Sequence, residues 1–426
     1  MRVCWKLALL LGLACSSDDK VAAVAEPGVP TPLEPSVLDQ TSATRMRDIV
    51  EALAADDMGG RVPGSFGHLA SMSLIVDEMA DIGLEPIGLE GDYVYPFAAT
   101  PRDDFLQINE DGSIEVAQAE VAYDVVGRLP GSNPEKAGDH ILVMAHYDHL
   151  GVDESGNVYN GAFDNAAGVA VALEVARLLM IEPPEHSVIF LISDEEESGL
   201  DGAREWLSDS TVPRDQIVYG MSVDPVGRPS LPDYWPALII GAERSPELIA
   251  SWREMSQWNE LPTLFLNREL VPVFASDQDE LYKLDPPIPG FWFVNPGFSF
   301  YHTVHDTAET IDYRIMKANV RFLANAITAS DSDPDAYTFN GNVPLDAEAA
   351  QGVKDLILGL RSSDALTVSE REYADFVLEK CDEAIAANDL SVVGNVEGFS
   401  LAVAYFVMFE LGEAHPGPIP PPFPDE

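Results

Sequence analysis

Five short segments of this chain collect histidine and carboxylate side chains at spacings suited to holding metal ions. They are Ala145-His146-Tyr147-Asp148-His149-Leu150-Gly151, Gly161-Ala162-Phe163-Asp164-Asn165-Ala166-Ala167-Gly168, Asp194-Glu195-Glu196-Glu197-Ser198-Gly199-Leu200, Asp224-Pro225-Val226-Gly227-Arg228 and Tyr301-His302-Thr303-Val304-His305-Asp306-Thr307. Neutral imidazole and carboxylate are ligands that suit Zn²⁺. Cysteine is absent from all five segments, which argues against a structural zinc of the thiolate type. Four of the eight histidines fall in two of these segments. A single His-x-Asp reads as a capping or surface pair, and a run such as Glu195–Glu197 as a solvated loop. Five such segments together mean something else: carboxylates crowded at buried strand ends repel one another, and a cation relieves that cost.

The elements that must position them are legible in outline. Residues 140–145 and 187–192 are short apolar runs rich in branched side chains, the pattern of strands buried on both faces. A helix of small and aliphatic residues is expected at 165–180. Strands are expected near 217–223, 236–241 and 291–294, with helices near 246–258 and 309–328. This alternation argues an α/β layered domain with its ligands at the carboxyl ends of the strands. Ahead of it, helices are expected at 43–56 and 66–83, joined by Gly59-Gly60-Arg61-Val62-Pro63-Gly64. Behind it, helices are expected at 346–361, 370–387 and 396–411, with Ser369 and Glu372 as a capping box for the second. The third is apolar nearly all round, too short to span a bilayer, and expected to lie buried against the main domain.

The order His-Tyr-Asp, Gly-Ala-x-Asp-Asn-Ala-x-Gly, Glu-Glu-x-Gly-Leu, Asp, then Tyr-His-Thr-x-x-Asp-Thr resembles the M28 family of zinc peptidases, most of whose characterised members are aminopeptidases. Leu53 to Ser65 resembles the family's leading helix and Gly-Arg-x-x-Gly loop, and Asp124 to Gly131 the strand before the first ligand. The resemblance runs from about 40 to 335. It implies a three-layer α/β/α fold with a central mixed, mostly parallel sheet, as in zinc exopeptidases. It implies two Zn²⁺ per chain: His146 and Asp224 on one, Glu197 and His302 on the other, and Asp164 bridging. Asp148 would orient the His146 imidazole, and Glu196 would be the general base for a metal-activated water. Ser198-Gly199-Leu200 favours Glu196–Glu197 over Glu195–Glu196 as the working pair. Tyr301 matches a position that some relatives use to donate to the oxyanion, and it reads equally well as packing in the site wall. The chain departs from the family at Pro225, where many relatives have Met, and at Ser276-Asp277-Gln278, where Gln replaces His and touches the expected substrate contacts.

The ends of the chain speak to its location. Arg2 and Lys6 flank a short basic start, Leu7 to Ala14 is apolar, and Cys15 is followed by Ser16-Ser17-Asp18-Asp19. Residues 1–15 resemble a bacterial lipoprotein signal with Cys15 as the lipidated residue, Gly12 being the departure from its pattern; an ordinary secretory signal is the alternative. Residues 16–40 carry Pro27, Pro30, Pro32 and Pro35 and read as a tether. The M28-like domain is then 41–337, a helical extension 338–415 and a Pro-rich tail 416–426. With 72 Asp+Glu against 24 Lys+Arg, the net charge of -48 disfavours nucleic acid and anionic membrane surfaces as partners. The only expected membrane contact is the lipid on Cys15. The reading is an exported di-zinc aminopeptidase acting on peptides with a free N-terminus. A carboxypeptidase- or dipeptidase-like member, a glutaminyl cyclase-like enzyme and a non-catalytic surface lipoprotein are the alternatives.

Overall fold

The computed structural model describes residues 32–109, 111–256, 261–271, 275–332, 337–341 and 345–411. The expected signal segment, the start of the tether and the Pro-rich tail lie outside these residues. The described part of the tether is not loose. Leu33 and Val37 are buried, the Leu33 N–H donates to Asn325 Oδ1 at 2.9 Å, and Pro35 opens a short helix α1 (Pro35–Leu38). The tether expected to reach residue 40 therefore ends before Leu33, because two apolar side chains seat its last part on the domain.

Helix α2 (Ala43–Leu53) is capped by Ser42 and buries Met46, Ile49, Val50 and Leu53 on one face. The next turns, Asp56–Arg61, are 3₁₀ in character, so the helix expected to reach 56 stops at Leu53. Helix α3 (Phe66–Ile82) leads to the strands β1 (Glu85–Pro86) and β2 (Val94–Ala98). A separate hairpin follows, of β3 (Leu106–Ile108) and β4 (Ile114–Val116). Then come β5 (Val121–Leu129), β6 (His140–His146), helix α4 (Ala167–Ile181), β7 (Ser187–Ser193), α5 (Asp201–Ser208) and β8 (Ile217–Val223). After these lie β9 (Ala237–Ile240), α6 (Pro246–Ser256), β10 (Thr263–Leu266), α7 (Asp279–Tyr282), β11 (Gly290–Val294) and α8 (Tyr313–Ala329).

These strands make a nine-stranded mixed sheet in the order β1-β5-β7-β6-β8-β11-β9-β10, with β2 also paired to β5. The pairs β7–β6, β6–β8 and β8–β11 at its centre are parallel. Antiparallel pairs flank this centre at β5–β7 and β11–β9. Every residue of β6 and β7 is buried, as their unbroken apolar runs require of strands covered on both faces. One layer of helices, α2, α4, α6 and α8, packs on one face around residues such as Leu173, Trp252 and Phe322. The opposite face is covered by α5 and α7, where Trp206, Leu207 and Leu281 join Leu142 and Leu191. The fold is thus the expected three-layer α/β/α arrangement with a mixed central sheet.

Beyond it stand the three expected C-terminal helices: α9 (Ala347–Arg361), α10 (Val368–Ala387) and α11 (Val396–Tyr405). The capping box of α10 falls two residues earlier than the sequence pattern suggested. Glu370 N donates to Thr367 Oγ1 at 3.3 Å, and Thr367 N donates to Glu370 Oε2 at 2.6 Å. Thr367 also begins an S/T-x-x-E pattern, and starting the helix there places Leu366 in the core. Cys381 is a free, buried core residue. The last helix continues into buried Phe406, Val407 and Met408, although Tyr405 faces solvent. Among the described residues no helix is long and apolar enough to cross a membrane.

The extension is docked on the sheet's last strand. α9 packs against β10, and Gly352 brings it close to the Phe265 carbonyl. Asp364 N donates to Asp233 Oδ2 at 3.0 Å and fastens the α9–α10 turn to the main domain. Since β10 is the edge of the sheet, a chain ending at residue 338 uncovers it and its apolar side chains. Such a chain is expected to elute as larger species than the full-length protein in size-exclusion chromatography with light scattering. An unchanged elution position and melting temperature would show that the extension does not protect the sheet.

Candidate metal centre

The parallel strands all point their carboxyl ends to one side, and the candidate residues gather there. His146 ends β6; Asp194 to Glu197 follow β7; Asp224 follows β8; His302 lies in the loop after β11. Asp164 comes from the irregular turn that opens α4. Asn165 fastens that turn: its Nδ2 donates to Val223 O at 2.9 Å, and its Oδ1 accepts from Gly168 N at 3.0 Å. A Cβ at Gly168 would stand 2.1 Å from Asn165 Oδ1 and 2.2 Å from Val223 O, so only glycine lets α4 meet the end of β8.

Two clusters share Asp164. His146 Nε2 lies 3.1 Å from Asp164 Oδ1 and 3.3 Å from Asp224 Oδ1. His302 Nε2 lies 3.0 Å from Asp164 Oδ2 and 3.2 Å from Glu197 Oε2. His146 Nε2, Asp164 Oδ2, Asp224 Oδ1 and His302 Nε2 are all buried atoms without a hydrogen-bond partner. Polar atoms converging in this way, without hydrogen bonds among themselves, fit a bound cation. His146, Asp164 and Asp224 form one group able to hold a metal, and His149, Asp164 and Glu197 another. The structure thus brings all five expected ligands together and places His149 beside Glu197.

Asp148 is buried behind His146, its Oδ1 3.4 Å from His146 Nδ1. His146 Nδ1 lies 3.2 Å from the Asp148 backbone oxygen, while the Asp148 carboxylate accepts from Glu196 N at 3.1 Å and Glu197 N at 3.3 Å and so holds the loop that carries the next two acids. Glu196 Oε2 stands 4.0 Å from His146 Nε2. Burial pushes the Glu196 carboxyl well above the usual carboxylate range, with the His146 charge opposing and Asp224 and Glu197 reinforcing the rise. Tyr301 stacks on His302 with ring centroids 3.8 Å apart. Ser276 does not face outward to substrate: its hydroxyl donates to Asp224 Oδ2 at 2.6 Å. Gln278 is buried and donates to Asp279 Oδ1 at 3.0 Å.

Other residues that position the site carried weaker signals. Asp306, in the same segment as His302, accepts from Phe163 N at 2.9 Å and Asp164 N at 3.1 Å and pairs with the buried Arg228 at 2.6 Å. Arg61 is fully buried at a positive φ of 49°. Its guanidinium donates to Tyr147 O and Leu53 O at 2.7 Å each, Asn160 O at 2.6 Å and Gly161 O at 2.9 Å. It binds the end of α2 to the loops carrying Asp148 and Asp164. Burial lowers it to about 10, while Asp306, Asp164 and Asp148 act to keep it charged. Gly60 precedes it because a Cβ there would stand 2.1 Å from Gly151 O. On the other side of the β7 loop, His68 Nε2 pairs with Asp194 Oδ2 at 2.8 Å, and Tyr147 Oη donates to the same oxygen at 3.3 Å.

A mixed α/β sheet with histidines and acids converging at its parallel strand ends is the architecture of a metal-dependent hydrolase. Residues 124–327 match the model of peptidase family M28. A leucine aminopeptidase precursor from Bacteroides thetaiotaomicron VPI-5482 is similar in structure, with 21% identity and a TM-score of 0.51 over 68% of this chain and 97% of that one. A zinc aminopeptidase from Bacillus subtilis has 16% identity and a TM-score of 0.53, covering 70% of this chain and 98% of its own. A glutaminyl cyclase from Bacteroides thetaiotaomicron, bound to N-acetylhistamine, has 20% identity and a TM-score of 0.50 over 68% and 98%. No match was found among curated protein sequences. At these identities the likenesses establish the zinc exopeptidase fold.

Two outcomes follow from the buried cations. Arg61→Met strands four buried carbonyls and is expected to lower stability by about 3 kcal/mol or more, read as a reduced midpoint in urea unfolding of the metal-free protein. A change below about 0.5 kcal/mol would show that the clamp is dispensable. His68 is raised above 6.5: burial opposes this, but Asp194 wins. Its contribution to stability is therefore complete below the unfolded value of 6.5 and fades as the pH climbs through the raised folded value. The stability deficit of His68→Gln should be largest at mildly acid pH and shrink above 6.5; a deficit constant with pH would refute the pairing.

Proposed function

We propose that this chain is an exported metallopeptidase that holds two zinc ions and removes residues from peptides with a free N-terminus. One observation carries the reading. The two oxygens of Asp164 face different histidines, His146 at 3.1 Å and His302 at 3.0 Å, and each histidine has its own second carboxylate, Asp224 or Glu197. A shared carboxylate between two ligand pairs fits two ions better than one. It also favours peptide hydrolysis over a single-zinc cyclisation of the glutaminyl cyclase kind.

Zinc at these ligands would polarise the scissile carbonyl and lower the pKa of the attacking water. Glu196, which no ligand role occupies, would serve as the general base, taking a proton from the attacking water and passing it to the leaving amine. Desolvation at its partly buried position makes it a stronger base than an exposed glutamate. Asp148 holds both the His146 imidazole and the backbone of Glu196, so the base and the first cluster keep a fixed relation. Arg61 and Asp306 hold the backbone that carries Asp164. Tyr301 borders the place where the substrate carbonyl would lie.

A panel of aminoacyl nitroanilides, with N-terminally blocked controls, tests this before and after chelation and zinc add-back. Release is expected only from unblocked substrates, lost on chelation and restored by zinc. Glu196→Gln should retain zinc and lose about 10²–10⁴-fold in kcat. Turnover that survives chelation, or an undiminished Glu196→Gln enzyme, would overturn the mechanism. Zinc binding without release from any nitroanilide would point to the carboxypeptidase or dipeptidase reading. Cyclisation of N-terminal glutamine would point to the cyclase.

A further inference from the structure

Asp224 and Glu197 each serve one cluster only, and the fold treats them alike. Ser276 donates to Asp224 Oδ2 at 2.6 Å, which leaves Oδ1 turned to His146. His149 Nδ1 lies 2.8 Å from Glu197 Oε1, which leaves Oε2 turned to His302. A carboxylate only accepts, so His149 Nδ1 carries the hydrogen of that bond. We propose that His149 is a positioning residue for Glu197, the counterpart of Ser276 at the other cluster: it occupies one carboxylate oxygen so that the second is presented to the metal. The inference rests on the zinc reading above.

The surroundings of His149 suit a fixed donor. The residue is fully buried, and its N–H donates to Arg61 O at 3.4 Å. Gly161 makes room for the ring, since a Cβ there would stand 2.6 Å from His149 Cδ2. The distances also separate it from the ligands. Atoms sharing one tetrahedral zinc with bonds of about 2.0–2.1 Å lie about 3.3 Å apart. His302 Nε2 is 3.0 Å from Asp164 Oδ2, whereas His149 Nδ1 is 3.9 Å from that oxygen. His149 therefore addresses the far oxygen of Glu197 and does not complete the cluster itself.

The test is zinc binding by the full-length metal-free protein, measured in competition with a chromophoric chelator. The wild type is expected to bind two zinc ions. His149→Ala should weaken one of them roughly 10–100-fold and leave the other unchanged. His149→Asn, whose amide nitrogen stands where Nδ1 stood, should restore binding close to the wild-type value. Where the alanine variant does not fold, His149→Leu fills the buried volume without a donor and takes its place. Unaltered zinc binding in the donor-free variant would overturn the role. Binding as weak in His149→Asn as in the donor-free variant would also overturn it, by making His149 a ligand. A wild type that binds no zinc would remove the metallopeptidase reading itself, whereas two ions in the wild type and no effect at His149 would remove only this inference.

Discussion

The carboxyl ends of the parallel strands hold more buried negative charge than the protein around them can neutralise. Asp148, Asp164, Glu196, Glu197 and Asp224 meet there, with Asp194, Asp277 and Asp306 close behind. Their neighbours on the cationic side are chiefly the two buried arginines, Arg61 and Arg228, and the histidines. Burial pushes Asp277 up to about 7 and Asp124 well above the ordinary range, which shows how strongly the region resists holding every carboxylate ionised. The proposed pair of divalent cations would relieve that conflict.

The remaining structure can be understood as the means of holding those groups in register against their repulsion. The strands supply direction: three adjacent parallel pairs deliver His146, the Glu196–Glu197 loop and Asp224 to one edge. Short-range bonds supply aim. Asp148 fastens two loops at once, Ser276 turns Asp224, and Asp306 receives the two N–H groups around Asp164. Arg61 supplies tension from outside the sheet, reaching four carbonyls that belong to three separate segments. Its left-handed backbone costs on the order of 1 kcal/mol, small beside four charged hydrogen bonds in a dry interior.

The C-terminal helices belong to a different problem. A sheet whose last strand is β10 has an unpaired edge, and α9 lies against it while the turn after α9 is tied to Asp233. Among the described residues none of the candidate ligands comes from them.

Much of this was legible in the chain alone. The unbroken apolar runs of β6 and β7 announced strands covered on both faces, and the residues immediately after them announced a polar site at their ends. The order of the five segments carried the resemblance to the M28 family, and with it the candidate ligand set whose members the fold brings together. What was not legible depended on contacts between distant segments. The capping box of α10 moved to Thr367 because burial of Leu366 decides where the helix starts, and the tether ended early because Leu33 and Val37 found a surface. His149 stood in plain sight in the first motif, but nothing local distinguishes it from a surface histidine; only the fold brings Glu197 within 2.8 Å. The amino-acid sequence by itself determined which chemical groups are present and which strands would be buried, since side-chain type and local hydrophobic period decide both. Tertiary structure alone decided which oxygen of Asp224 and of Glu197 faces the histidine of its cluster, because a donor arriving from another part of the chain occupies the other one.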